Sequence, residues 1–137
     1  MRREIDDRWG IAIDLGTLAL VALRQADEDQ AVRLLRDSIL MRQELGDQGG
    51  IAWCLERFAD VASRQGGAGV ERAAKLYGAA YSLRRSVDSG VDPLERSEHE
   101  RHIAVVRAQI DPAKWDSAWA AGQAMPVQQA VAYATRY

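Results

Sequence analysis

The chain has 137 residues, with 18 Lys and Arg against 20 Asp and Glu and a net charge of −2. Hydrophobic residues make up 47% and charged residues 28%, the composition of a folded domain rather than a disordered one. There is no basic excess to gather nucleic acid, the single cysteine excludes an internal disulfide, and no apolar run is long enough to span a membrane. The N-terminal "MRREIDDRWG" has no apolar signal-peptide core, so a cytoplasmic protein without membrane contact is expected.

The first predicted element lies within "DDRWGIAIDLGTLALVALRQ", and it returns forty residues later. Residues 11–25 and 51–65 agree at eight of fifteen positions. Unrelated windows would share roughly one, so the chain carries an internal repeat. Ile11, Leu15, Leu18, Ala19 and Ala22 fall at helical steps of three and four. Ile51, Leu55, Phe58, Ala59 and Ala62 do the same. Asp7 and Asp47 stand where an N-cap carboxylate would accept from free backbone N–H groups.

"QADEDQ" ends the first helix and "RQGGAG" ends its copy. A second helix follows each: Ala31, Leu35, Ser38 and Arg42 line one, and Ala73, Tyr77, Ala80 and Arg84 the other. The two extra residues of the second copy sit in the Gly66–Gly69 turn, where insertion is tolerated. Residues 5–46 are thus one helical hairpin and 47–88 another. "DSGVDP" then breaks the pattern.

Residues 93–137 read as diverged C-terminal helices. The first is long and polar, "LERSEHERHIAVVRAQI". The second has Pro112 in its first turn and Gly122 at its close, and the third is opened by Pro126. The whole chain is a single domain of about forty-residue units, and its third part is expected to cap the array with a polar face.

The small residues at the crossing points carry a resemblance. Leu18–Ala19 and Phe58–Ala59 in the first helices, with Ala31, Leu35 and Ser38 or Ala73, Tyr77 and Ala80 in the second, resemble the tetratricopeptide repeat. The spacing is forty rather than thirty-four, and the usual repeat-end proline is missing. Together with "LGDQGGIAWCLE", "AAKLYGAA" and "WDSAWAAGQAMPVQQAVAYA", this is similar to the C-terminal repeat region of large bacterial LuxR-type and winged-helix regulators that carry a nucleotide-binding module. The resemblance implies an all-α, right-handed superhelical array of antiparallel helix hairpins with a C-terminal helical cap. It also implies a regulatory or interaction role. No ATPase or DNA-binding motif of those proteins is present to carry either activity over.

Trp53, Glu56, Asp60 and Ser63 share one helical face, the face that lines the concave groove in such arrays. Trp53, Glu56, Arg57, Asp60 and Arg64 are therefore the candidate peptide-binding set: one aromatic anchor with several charge-assisted donors and acceptors. The matching residues of the first copy, Ile13, Gly16, Leu20 and Leu23, turn that wall apolar. They are the candidate self-association edge, since an exposed apolar patch of roughly several hundred Å² usually marks an interface. A homodimer through the first helix is one expectation. A preceding repeat, or the chain's own C-terminal helices folding back over the edge, are the others.

The remaining groups point away from chemistry. His99 and His102, with Glu95 and Glu98 one turn earlier, share a face but read as a solvated charged surface rather than a metal site. Cys54 has no neighbouring base and reads as structural. Trp115 with Trp119, and Tyr133 with Tyr137, read as packing stripes, and Arg84–Arg85 as a solvated helix end. No catalytic residue, metal or cofactor is expected. The expected function is protein–protein interaction. The alternative is a sensor holding a small ligand or short peptide between Ile13, Leu20, Trp53 and Asp60.

Overall fold

The computed structural model describes residues 2–136. Seven helices occur among them: α1 (Arg2–Arg24), α2 (Glu28–Leu45), α3 (Gln48–Ser63), α4 (Ala68–Ser86), α5 (Pro93–Arg107), α6 (Pro112–Gln123) and α7 (Val127–Thr135). The protein is all-α, and none of these helices is long and apolar enough to cross a membrane.

The turns explain where the helices stop. Asp27 caps α2 by accepting from the Gln30 N–H at 3.2 Å. Gly46 then closes α2 in the left-handed conformation, φ 70°, which glycine adopts without the Cβ clash of other residues. The next residue, Asp47, opens α3, its Oδ1 accepting from the Gly50 N–H at 3.0 Å. Asp7, by contrast, is not a cap. With no glycine or proline before it, the helical run extends back to Arg2, and Asp7 lies inside α1.

Helices α1 and α2 form one antiparallel hairpin, and α3 and α4 the next. Ser38 Oγ of α2 donates to the Ala12 carbonyl of α1 at 2.8 Å. Tyr77 of α4 reaches Asp60 of α3 in the second hairpin. Ala12, Ala19, Ala31, Ser38, Ala59 and Ala73 are fully buried, so the backbones approach where the side chains are shortest. Helix α2 also packs on α3, which joins the two hairpins through one continuous core.

The C-terminal part divides in two. Helix α6 lies against α4 and α7 folds back across α2, α3 and α4, while α5 has far less contact. Gly122 does not terminate α6. It lies inside the helix against the Lys75 carbonyl of α4, and Gly78 of α4 lies against the Trp119 carbonyl. A Cβ at either glycine would collide with the opposing backbone, so the pair sets the crossing distance. Trp115 stacks on Trp119 with ring centres 5.9 Å apart, and Tyr81 packs on Trp119 at 5.5 Å. Tyr133 receives the Arg72 guanidinium over its ring at 4.4 Å. Its expected stripe partner, Tyr137, lies outside the described residues.

Candidate functional site: the concave groove

The groove residues of α3 are held by α4 before anything else reaches them. Arg84 Nε and Nη2 donate to the two carboxylate oxygens of Glu56, each at 2.7 Å. Glu56 is only 3% exposed, and this two-pronged pairing compensates its burial. Arg84 is therefore not a solvated helix end. Its third nitrogen donates to the Gly90 carbonyl at 2.9 Å, which ties down the segment after α4.

One turn along, Asp60 accepts from the Tyr77 hydroxyl and pairs with Arg57 at 3.0 Å. Burial and then the neighbouring Asp60 carboxylate push the Tyr77 hydroxyl far above the ordinary tyrosine range, so it stays a donor. Arg57 also lies over the Trp53 ring at 5.2 Å, with Arg42 at 5.7 Å. Trp53 is half-buried, and its ring sits where a Cβ on Gly16 would be 3.0 Å away. The expected aromatic anchor is thus a wedge between the two hairpins. Arg64 is exposed, and it donates to the Leu23 carbonyl of α1 at 2.9 Å.

The two hairpins solve the same problem differently. Arg42 and Arg84 occupy matching positions, but the partner of Arg84, Glu56, corresponds to Gly16. Arg42 turns instead to Ser38 Oγ at 3.1 Å, the Ala12 carbonyl at 3.5 Å and Asp47 at 3.4 Å. Cys54 Sγ lies 3.7 Å from Ser38 Oγ. Burial pushes its thiol up to about 11, too high for a nucleophile at neutral pH.

The groove is not empty. Helix α5 crosses it and brings in the two histidines that the sequence suggested were on a solvated face. His99 Nε2 lies 3.8 Å from Glu56, and its ring meets Tyr77 edge-on at 5.9 Å. His102 Nε2 lies 3.4 Å from Asp60 and 3.5 Å from Ser63 Oγ. Each histidine addresses its own carboxylate, and among the described residues no cluster of three or more His, Cys, Asp or Glu converges on a metal position.

Helix α5 leaves open space on both flanks. On the α4 side is a cleft of about 390 Å³ lined by Tyr77, Tyr81, Arg84, Arg96, His99 and Trp119. On the α1 side a second, of about 240 Å³, is bounded by Leu20, Leu23, Asp60, Arg64, Glu95 and His102.

The apolar edge of α1 lies elsewhere than the sequence placed it. Gly16 and Leu23 are buried, and Ile13 and Leu20 are half-buried, against Trp53 and the α5 side of the groove. The exposed apolar residues of α1 include Ile11 at 49%, Leu18 at 53% and Val21 at 43%. Their equivalents in α3, Ile51, Phe58 and Val61, are 2%, 0% and 0% exposed. The difference is in neighbours: besides its hairpin partner α4, α3 packs on the preceding α2 and on α7, whereas the main neighbour of α1 among the described residues is α2.

No known family matches this chain, and no curated protein or solved structure matches it.

Proposed function

We propose that the chain is a non-catalytic interaction module, a tetratricopeptide-like right-handed array whose working surface is the outer face of α1. One observation carries this reading: Ile11, Leu18 and Val21 are open to solvent where their repeat equivalents are sealed beneath a helix. The helices that pack on α3 beyond its own hairpin are α2 and α7, so what fits α1 is another helix with small and apolar residues along one side. The candidate is a second copy of the chain, two α1 helices meeting face to face. The expected homodimer through the first helix is retained, with its contact moved from Ile13, Gly16, Leu20 and Leu23 to Ile11, Leu18 and Val21. Descent from a transcriptional regulator's C-terminal repeats accords with this reading and rests on the sequence resemblance; a cytoplasmic setting accords with it as well.

Light scattering across a protein dilution series tests the proposal. A dimer is expected for the wild type, and a monomer of unchanged helicity for the double variant Leu18→Asp, Val21→Asp. A wild type that stays monomeric at high concentration, with the variant indistinguishable from it, overturns the dimer.

A second reading has its own observation. The cleft of about 390 Å³ beside α5 is rimmed by Tyr77, Tyr81 and Trp119, within the size range of small-ligand sites. It favours a sensor that binds a flat apolar molecule. Thermal-shift screening with tryptophan fluorescence separates this from the first reading, because such a ligand stabilises the protein without changing its mass.

A further inference from the structure

We propose that α5 is a displaceable strap, an intramolecular occupant of the concave groove that must swing out before a partner's helix can take its place. The groove would then admit a helix carrying imidazole or other neutral N–H donors three residues apart, followed by apolar residues one turn on.

The spacing on α5 is that of a helix read by a groove. His99, His102, Ile103 and Val106 stand at i, i+3, i+4 and i+7, and these four are buried or half-buried. The rest of the helix gains little from its position. Val106 is its one fully buried residue, Leu94 is 93% exposed and Val105 is exposed as well. A helix that buries one stripe of a few residues sits at the low-stability end of a fold and opens before the rest.

The groove beneath does not depend on the strap. Glu56 keeps both bonds from Arg84, and Asp60 keeps Tyr77 and Arg57, all of them from α3 and α4. Departure of α5 would expose a formed floor of paired carboxylates rather than collapse it. The anchors on either side also remain. Helix α4 belongs to the core, α6 is locked to it at Gly78 and Gly122, and α5 hangs between them on the non-helical stretches 87–92 and 108–111. The open clefts on its two flanks show that α5 does not fill the groove it lies in.

The choice of partner follows from the floor. Glu56 and Asp60, four residues apart on α3, already have their counter-charges in Arg84 and Arg57, so they favour a neutral imidazole or other N–H donor over a cation, and an acidic helix, facing two carboxylates, is disfavoured. The probe is a helix-stapled, fluorescein-labelled peptide of residues 92–110, added to full-length protein and read by anisotropy. The triple variant His99→Ala, Ile103→Ala, Val106→Ala weakens the strap and should bind the peptide at least tenfold more tightly than wild type does. Adding Asp60→Asn should remove most of that gain, and a peptide with His99 and His102 changed to Glu should not bind. Independently of any variant, hydrogen exchange on the wild type should show α5 amides exchanging at least a hundredfold faster than those of mid-α4. Equal protection of α5 and α4, or equal peptide binding by wild type and the triple variant, overturns the proposal.

Discussion

Glu56 and Arg84 stand 28 residues apart in sequence and meet through two parallel contacts of 2.7 Å, in a place where the carboxylate is nearly sealed from water. This pair joins α3 to α4, forms the floor under α5 and, through the Gly90 carbonyl, fixes how the chain leaves the second hairpin.

Breaking the pair from one side should be costly. Arg84→Met leaves Glu56 buried without its counter-charge, and a loss of about 3–5 kcal/mol is expected in urea unfolding. The double change Glu56→Leu, Arg84→Met removes both charges and should recover most of that loss. A single variant as stable as wild type would show that water reaches Glu56.

Two glycines inside helices should respond in opposite directions. Gly78→Ala drives a Cβ into the Trp119 carbonyl and should destabilise by about 1–3 kcal/mol, the usual cost of overpacking. Gly10→Ala meets nothing within 4 Å and should stabilise α1 by about 0.5–1 kcal/mol. Thermal unfolding of the two variants side by side checks both signs.

Cys54 should be inert while the protein is folded. With its thiol pushed up to about 11 by burial, iodoacetamide at pH 8 should leave it unmodified for hours and label it fully in urea. Mass spectrometry reads the outcome, and rapid labelling of native protein would contradict the packing of α3 on α2.

Acid should loosen α5. Burial holds His99 below the ordinary histidine range, outweighing the attraction of Glu56 and Asp60, while Arg57 and Arg84 also oppose its charge. A histidine depressed when docked binds fewer protons docked than free, so docking gains stability as pH rises and loses it as pH falls below about 6.5. Exchange of α5 amides, corrected for the intrinsic rate, should accelerate between pH 7.5 and 5.5, and less so in His99→Phe.

The sequence revealed the helices because their causes are local. Apolar steps of three and four, the Asp27 and Asp47 caps and the glycine turns all act within a few residues, and α2, α3 and α4 fall where these signals put them. It misplaced the open edge of α1 for a geometric reason. A helical wheel separates two faces but does not say which one a neighbour covers, and the wedge of Trp53 against Gly16 decided it. The histidines were misread similarly. Their i, i+3 spacing was visible, but a polar helix carries no sign that it will fold back over a groove formed forty residues earlier. Arg84 showed its charge and hid its partner, since nothing local links it to Glu56.

The contact of Gly16 with Trp53 fixes the order in which these hairpins can be strung. A copy of the second hairpin placed ahead of itself would set an indole against Glu56, and a copy of the first placed after itself would leave a hollow beside Gly16 for Ile13 to fill. Neighbouring units are therefore keyed like lock wards, large into small in one direction only. Any attempt to lengthen the array by duplication has to recut both positions together.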